Sequence, residues 1–332
     1  MDDRKGLGRP SRNYFASVFL CIIAMTATLG FPATAGAQGV RILVGFAPGG
    51  GLDLLARYFA QRLGPQLGVP VVVENMVGAN GNIAATAVSN SAPNGRTMLF
   101  VSSAHVMNAA LDPRIPYDPI KDFAPVTNSS NGLNVIVVNP ALGVTTLRQF
   151  LDLAKKKPGS LFFSSAGIGT VSHMPAELLK YQAGIDITHV PYKGGAPGLA
   201  AVVSGEVQLA VAGLGTAMSF IRAGRLLPLA VTGKERARVL PDVPTADAAG
   251  VPGFEFSAWN GFFTSPKTPG EVVHRMRDSI VALLAGAELV KLIEENGYTI
   301  VGSTPQEFAV TIKTDLETWI RIVKAARIKA EQ

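Results

Sequence analysis

Three consecutive glycines stand in the stretch Phe46-Ala47-Pro48-Gly49-Gly50-Gly51-Leu52-Asp53, between a short apolar run and a helical pattern. Glycine leaves backbone N–H groups unshielded, so a ligand can approach them closely. A helix starting here turns its unpaired N–H groups and the positive end of its dipole toward the same spot. The chemistry on offer is anion binding, for a carboxylate or a phosphate. Taken alone, the stretch reads equally well as a plain tight turn between strand and helix. No Gly-Lys-Ser/Thr follows, which excludes a Walker-type phosphate loop.

A second small-residue stretch is Ser164-Ser165-Ala166-Gly167-Ile168-Gly169-Thr170-Val171-Ser172-His173. The hydroxyls of Ser165, Thr170 and Ser172, with the backbone amides, make a neutral cradle for carboxylate oxygens. Gly167-Ile168-Gly169 has the start of a dinucleotide fingerprint, but Ser172 stands where the third glycine belongs. Asp186 precedes its strand, whereas a ribose-binding acid ends one. A nucleotide-cofactor oxidoreductase is therefore a remote alternative, and no cofactor is expected. His173 is open to three roles: ligand contact, helix cap or contact between lobes. The remaining histidines, His105, His189 and His274, lack metal-ligand spacing, and no metal is expected. There is no G-x-S-x-G elbow and no adjacent Cys-His or paired-carboxylate motif, so binding is favoured over catalysis.

Strands and helices alternate around these stretches. Ile42-Leu43-Val44, Val71-Val72-Val73 and Thr97 to Val101 are continuous apolar runs, the mark of a parallel sheet covered on both faces. Leu55, Tyr58, Phe59 and Leu63 share one helical face. Asn134 to Val138 is a further strand, followed by a helix with Thr146 and Gln149 as a capping box and Leu147, Phe150, Leu151 and Ala154 as its stripe. The rhythm then restarts with strands at Leu161 to Phe163, Ile187 to Val190, Val207 to Val211 and Leu229 to Val231. Trp259 to Phe263 is a late strand. Thr268-Pro269-Gly270-Glu271 and Thr304-Pro305-Gln306-Glu307 each predict a capped helix with proline first. The last helix is expected to bury Phe308, Ile312, Leu316, Ile320 and Val323. Two α/β lobes result, with crossings near 134–139 and 227–232; Pro228 suits an edge or hinge.

The chain has 332 residues, 48% of them apolar and 16% charged, a globular composition long enough for two domains. Residues 1–37 read as a secretory signal peptide: Arg4, Lys5, Arg9 and Arg12, an apolar run from Ala16 to Phe31, then Ala35-Gly36-Ala37 as the cleavage site. The run is shorter than a membrane anchor needs. Cleavage near Ala37 and a periplasmic location are expected. The one cysteine, Cys21, falls in this leader, leaving a mature chain without disulfides. Net charge is +6, and removing the leader's four basic and two acidic residues leaves +4. The basic run Lys155-Lys156-Lys157 ends a helix, where cations suit the dipole, and no nucleic-acid partner is expected.

Further segments appear in a fixed order: Val44 to Asp53, Val71 to Asn75, Gly81-Asn82-Ile83, Pro116 to Pro119, Phe123 to Val126, Ala166 to His173, His189 to Gly194 and Leu240 to Thr245. Together, from about residue 39 to the C-terminus, they strongly resemble the substrate-binding proteins of tripartite tricarboxylate transporters, the Bug family. The resemblance implies an α/β, type II periplasmic binding protein fold: two lobes joined by two crossing strands with a cleft between them. Lobe 1 would comprise 38–137 and 230–332, and lobe 2 would comprise 138–229. It implies no enzyme activity but capture of a small organic carboxylate by hinge closure and delivery to a transporter's large and small membrane subunits. A membrane sensor kinase is the alternative partner, and a monomer is expected.

By that resemblance the ligand-binding residues are Phe46, Ala47, Pro48, Gly49, Gly50, Gly51, Asp53, Asn82 and Ser103 from the first lobe. The second lobe would contribute Ala166, Gly167, Gly169, Thr170, Val171, Ser172 and His173, partly through bridging waters. Three features depart from the family pattern. Gly51-Leu52 replaces a common Ser-Thr pair, Ala212-Gly213 replaces a common Asp-Asn, and Pro175 enters the first turn of a helix. The first two remove polar groups. They point to a ligand less polar beyond its carboxylate than citrate or an amino acid, such as an aliphatic or aromatic acid.

Overall fold

A computed structural model describes residues 39–295 and 297–330. The leader peptide expected over 1–37 lies outside these residues. The first apolar run forms β1 (Val40–Val44), which pairs in parallel with β2 (Val71–Asn75) on one side and β3 (Thr97–Ser102) on the other. Helix α1 (Gly51–Leu67) follows β1 and buries Leu55, Phe59 and Leu63, while Tyr58 lies partly open at the edge of that face. Helix α2 (Asn82–Ser89) leads into β3, and α3 (Ala104–Leu111) leaves it. Phe59, Phe100 and Phe262 interlock with centroids 4.4–5.9 Å apart, tying α1 to the sheet.

Strand β4 (Ala124–Val138) is 15 residues long, and only its last third is legible as an apolar run. Its polar first part, including Asn128, Ser129 and Ser130, is buried because it lies between β9 (Ser257–Thr264) and β10 (Tyr298–Ile300). Its second part, Asn134 to Val138, lies between β7 (Leu209–Gly213) and β8 (Leu227–Val231). β7 continues to β5 (Phe162–Ser165) and β6 (Thr188–Pro191). The strand order is β2-β1-β3-β9-β4-β7-β5-β6, with β8 and β10 both on β4. One strand thus serves two sheets, giving the two-lobed α/β fold. The return passage touches the same point: the Thr232 N–H donates to Asn134 O at 2.9 Å, and the Phe256 N–H to Thr232 O at 2.7 Å. Pro228 pairs at a register shift on β8, whose other flank bridges Thr245 at Val231 but has no ladder partner at Pro228 among the described residues, so a missing N–H there costs little.

The second sheet carries α4 (Leu147–Lys156), α5 (Met174–Ala183), α6 (Gly195–Ser204) and α7 (Leu214–Arg222). The α4 stripe is buried as expected, but the capping box is incomplete. Thr146 accepts from the Gln149 N–H, while the Gln149 side-chain carbonyl is taken by Thr145. The chain closes with α8 (Gly270–Leu284), α9 (Ala287–Glu295) and α10 (Pro305–Ala326). Thr304 and Glu307 form the full box on α10. The matching expectation at Thr268 fails: α8 starts one residue later, after Pro269, and the Thr268 hydroxyl meets Thr264 at 3.3 Å instead. On α10, Phe308 and Ile312 are buried, but Ile320 is 49% exposed and Trp319 takes its place. Eleven residues from Phe308 make just over three whole turns, whereas twelve rotate the side chain off the face.

Candidate ligand-binding site

The first glycine loop leaves β1 and enters α1. Gly49 has φ +85°, and a Cβ there would meet nothing within 4 Å, so only its backbone conformation asks for glycine. Gly45 is required by contact, since a Cβ would fall 2.3 Å from Gly81 Cα. Asp53 does not face outward. It is 2% exposed and accepts from the Gly49 N–H (2.9 Å), Arg57 Nε (2.9 Å) and Asn75 Nδ2 (2.8 Å). Asn75 Nδ2 also donates to Phe46 O at 3.0 Å. Burial pushes the Asp53 carboxyl up, but the bonds from Arg57, Gly49 and Asn75 outweigh it, and the net shift is downward. Asp53 therefore fastens the loop from behind. The N–H groups of Gly50, Gly51 and Leu52 have no acceptor among the described residues. Ala47 and Pro48 lie exposed at the tip, with Phe46 half-buried against Gly81.

The second loop is organised differently. Its Ala166 N–H donates to Ser172 Oγ (2.8 Å), Gly167 N–H to Ser165 Oγ (3.1 Å) and Gly169 N–H to His173 Nδ1 (3.2 Å). Thr170 Oγ1 donates to Gly167 O at 2.6 Å and lies 3.0 Å from Ser172 Oγ. The expected cradle hydroxyls thus bond within the loop. Val171 presents its carbonyl to Asn134 Nδ2 of β4.

Of the three roles open to His173, the structure places it as a brace under Gly169; it makes no side-chain cap on α5. Its ring lies 4.1 Å from that of His189, whose Nε2 is 2.6 Å from Ser165 Oγ. Burial, then the neighbouring His189 and Lys180, lowers the His173 pKa to about 3. Burial and Lys180 lower that of His189 to about 4. Both rings are neutral at pH 7, consistent with Nδ1 of His173 acting as an acceptor.

The second loop packs against asparagines of the first sheet's side that sequence reasoning missed. A Cβ on Gly169 would lie 2.4 Å from Asn108 Oδ1 and 3.2 Å from Asn80 Nδ2, and one on Gly167 would lie 3.4 Å from Asn80 Oδ1. Asn108 Nδ2 in turn donates to Asn80 O at 2.9 Å. Asn80 has φ +56°, a conformation asparagine tolerates, and its Ala-Asn-Gly setting is the local signal that could have marked it. Asn108 sits mid-helix, and nothing nearby in sequence marks it. Asn82 belongs to the same network, accepting from the Tyr117 hydroxyl at 2.7 Å. Ser103, at the end of β3, is 1% exposed, and its Oγ has no partner among the described residues. A buried hydroxyl normally has one.

This arrangement of glycine loops and amide side chains has counterparts in known proteins. The sequence model of the tripartite tricarboxylate transporter family receptor matches residues 55–328. The chain belongs to this receptor family. It is 30% identical over 313 residues to BugT of Bordetella pertussis, covering 93% of this chain and 96% of that one. An R. palustris protein solved with adipate superposes with a TM-score of 0.83 at 32% identity, over 88% of this chain and 98% of the other. A Rhodopseudomonas palustris protein with bound malate gives a TM-score of 0.81 at 30% identity, over 86% and 99%. The receptors of this family are periplasmic solute-binding proteins, not enzymes. Among the described residues of this receptor no group of side chains could hold a metal ion, and no helix is long and apolar enough to cross a membrane.

Proposed function

We propose that this receptor captures a small organic carboxylate between its two glycine loops by hinge closure and delivers it to the membrane subunits of a tripartite transporter. The observation that carries the reading is the row of N–H groups at Gly50, Gly51 and Leu52 at the start of α1, which have no acceptor among the described residues. Relatives solved with adipate and malate support a carboxylate as the ligand. In this reading, 38–137 with 230–332 and 138–229 are the two moving lobes, and the chain works as an exported monomer with its leader removed near Ala37. A ligand that bonds both lobes stabilises the closed state by its difference in affinity for the two states.

The ligand class is an aliphatic or aromatic acid with little polarity beyond its carboxylate groups. Gly51, Ala212 and Gly213 offer no side-chain donors, and the second loop spends its hydroxyls on itself. A thermal-shift screen of mono-, di- and tricarboxylates tests this. An acid at 100 times its dissociation constant adds about 2.7 kcal/mol of stability. Adipate, hexanoate or benzoate should raise the melting temperature more than citrate or aspartate. Binding of citrate and aspartate alone would sink the ligand class.

A further inference from the structure

Two glycines far apart in sequence make room for one side chain. Tyr298 of β10 pairs with Gly132 of β4, and a Cβ on Gly132 would lie 2.5 Å from Tyr298 Cε1. The ring therefore lies directly over a glycine. At its other end, a Cβ on Gly51 would lie 3.0 Å from Tyr298 Oη. The phenol spans from the strand shared by both sheets to the first residue of α1. Its neighbour Gly297 touches Leu214 of α7, where a Cβ would fall within 2.4 Å of Leu214 Cδ2. Tyr298 thus stands at the seam of the two sheets, beside the mouth of the first glycine loop.

The ring packs partly buried against the first-sheet core, yet the hydroxyl makes no hydrogen bond with any described residue. The hydroxyl is therefore open to a partner from outside the protein, and Tyr298 pairs an apolar body with a polar tip. The adjoining N–H groups of Gly50, Gly51 and Leu52 also lack a partner among the described residues. A hydroxyl beside Gly51 and the row of N–H groups there are all donors without an acceptor among the described residues, and an anionic oxygen would complement them. We propose that Tyr298 is a ligand-contacting residue whose hydroxyl donates to the same carboxylate that the α1 N–H groups receive, filling the place a hydroxyl side chain at position 51 would occupy. Burial holds the phenol pKa above its ordinary value, so the group stays a donor across the physiological range. The assignment rests on the carboxylate-binding reading above and adds the residue that fixes the carboxylate's position.

The exchange of a hydroxyl between positions 51 and 298 gives the test. Tyr298→Phe keeps the ring over Gly132 and removes only the oxygen. Titration calorimetry with adipate, malate, hexanoate and benzoate would be run on wild type, Y298F and the double variant Y298F with G51S. The acid that wild type binds should bind Y298F about tenfold to a hundredfold more weakly, the usual loss for a hydrogen bond to a charged group. G51S should restore much of that loss, because the ring without its oxygen leaves room for the serine hydroxyl. The melting temperature without ligand should match wild type. Adding the acid to wild type should also perturb the tyrosine ultraviolet spectrum, and Y298F should lack that change. Wild-type binding with an unaffected Y298F overturns this assignment alone. If wild type binds citrate or aspartate instead, the same comparison is made with that acid; wild type binding none of the six overturns the carboxylate reading and this assignment together.

Discussion

Both glycine loops follow a parallel strand and open a helix, yet they treat their N–H groups in opposite ways. In the first loop, Asp53 takes the Gly49 N–H and Asn75 takes the Phe46 carbonyl, and three successive amides stay without an acceptor among the described residues. In the second, Ser165, Ser172 and His173 each take an N–H from their own loop. Glycine content alone does not make an anion site. What matters is whether the supporting side chains hold the loop from behind or consume its donors from within. In the proposed binding reading, the first loop grips the carboxylate and the second supplies a shaped, closely fitting wall.

The contrast can be broken most directly at Asp53. Replacing it with alanine removes three hydrogen bonds to a carboxylate, two of them from Arg57 and the Gly49 backbone. Arg57 is exposed enough to be resolvated, so the expected loss is about 3 kcal/mol rather than the full sum. Urea unfolding would measure it, and ligand affinity should fall with it; a change under ~1 kcal/mol would show that the first loop holds its shape without Asp53.

Acid should then separate the loops. The folded pKa values of His173 and His189 lie at about 3 and about 4. Below about pH 6.5, the ordinary histidine value, the unfolded chain takes up protons that the folded chain refuses. Stability is therefore present above that value and is lost as the pH falls toward 4. His105, buried beside Tyr117 with a pKa of about 4, adds a loss of the same sign, so the variant must be compared with wild type. His189→Gln should remove about 2 kcal/mol of the wild-type loss between pH 7 and pH 5. Asp53 loses stability with the same sign but in a lower window: its carboxyl is held below the ordinary value, so its contribution is present above the ordinary carboxylate range and is lost as the pH falls through it. Unfolding curves at pH 7, 5 and 3.5 should show the second loop's histidines failing before the first loop's aspartate.

The smallest effect compares two glycines. Gly49 and Gly169 both have positive φ, +85° and +74°, so alanine strains either by about 1 kcal/mol. Only Gly169 also faces a contact, with Asn108 Oδ1 2.4 Å from where the alanine methyl would stand. Gly169→Ala should cost about 1 kcal/mol more than Gly49→Ala, and Asn108→Ala should relieve that excess in the double variant. Thermal unfolding of the four variants would measure both terms. Equal costs would mean that the second loop does not pack against Asn108 of α3 in solution as it does here.

Much of the fold was legible because its signals are local. Continuous apolar runs placed most of the strands, and the 3.6-residue period placed the buried faces of α1 and α4. The first half of β4 was not legible, because Asn128 to Asn131 are polar and become interior only when β9 and β10 flank them. The same holds for Ile320 against Trp319, where the periodicity was right but the face was off by one residue. At the site, both glycine loops could be read from glycine, proline and hydroxyl spacing. The partners that determine what they do could not: Asn75, Asn108, Asn134, His189 and Tyr298 each reach a loop from another element.

By itself, then, the sequence determined the alternation of strands and helices, the two glycine loops and the ordered motifs of a solute receptor. These follow from backbone conformation and near-neighbour periodicity, which the chain writes along its length. Which N–H groups stay free, and which hydroxyl stands beside them, only the tertiary structure decided. A hydrogen bond is settled by distance and direction within about 3 Å, and Tyr298 comes to stand beside Gly51 only when β10 lies down along β4.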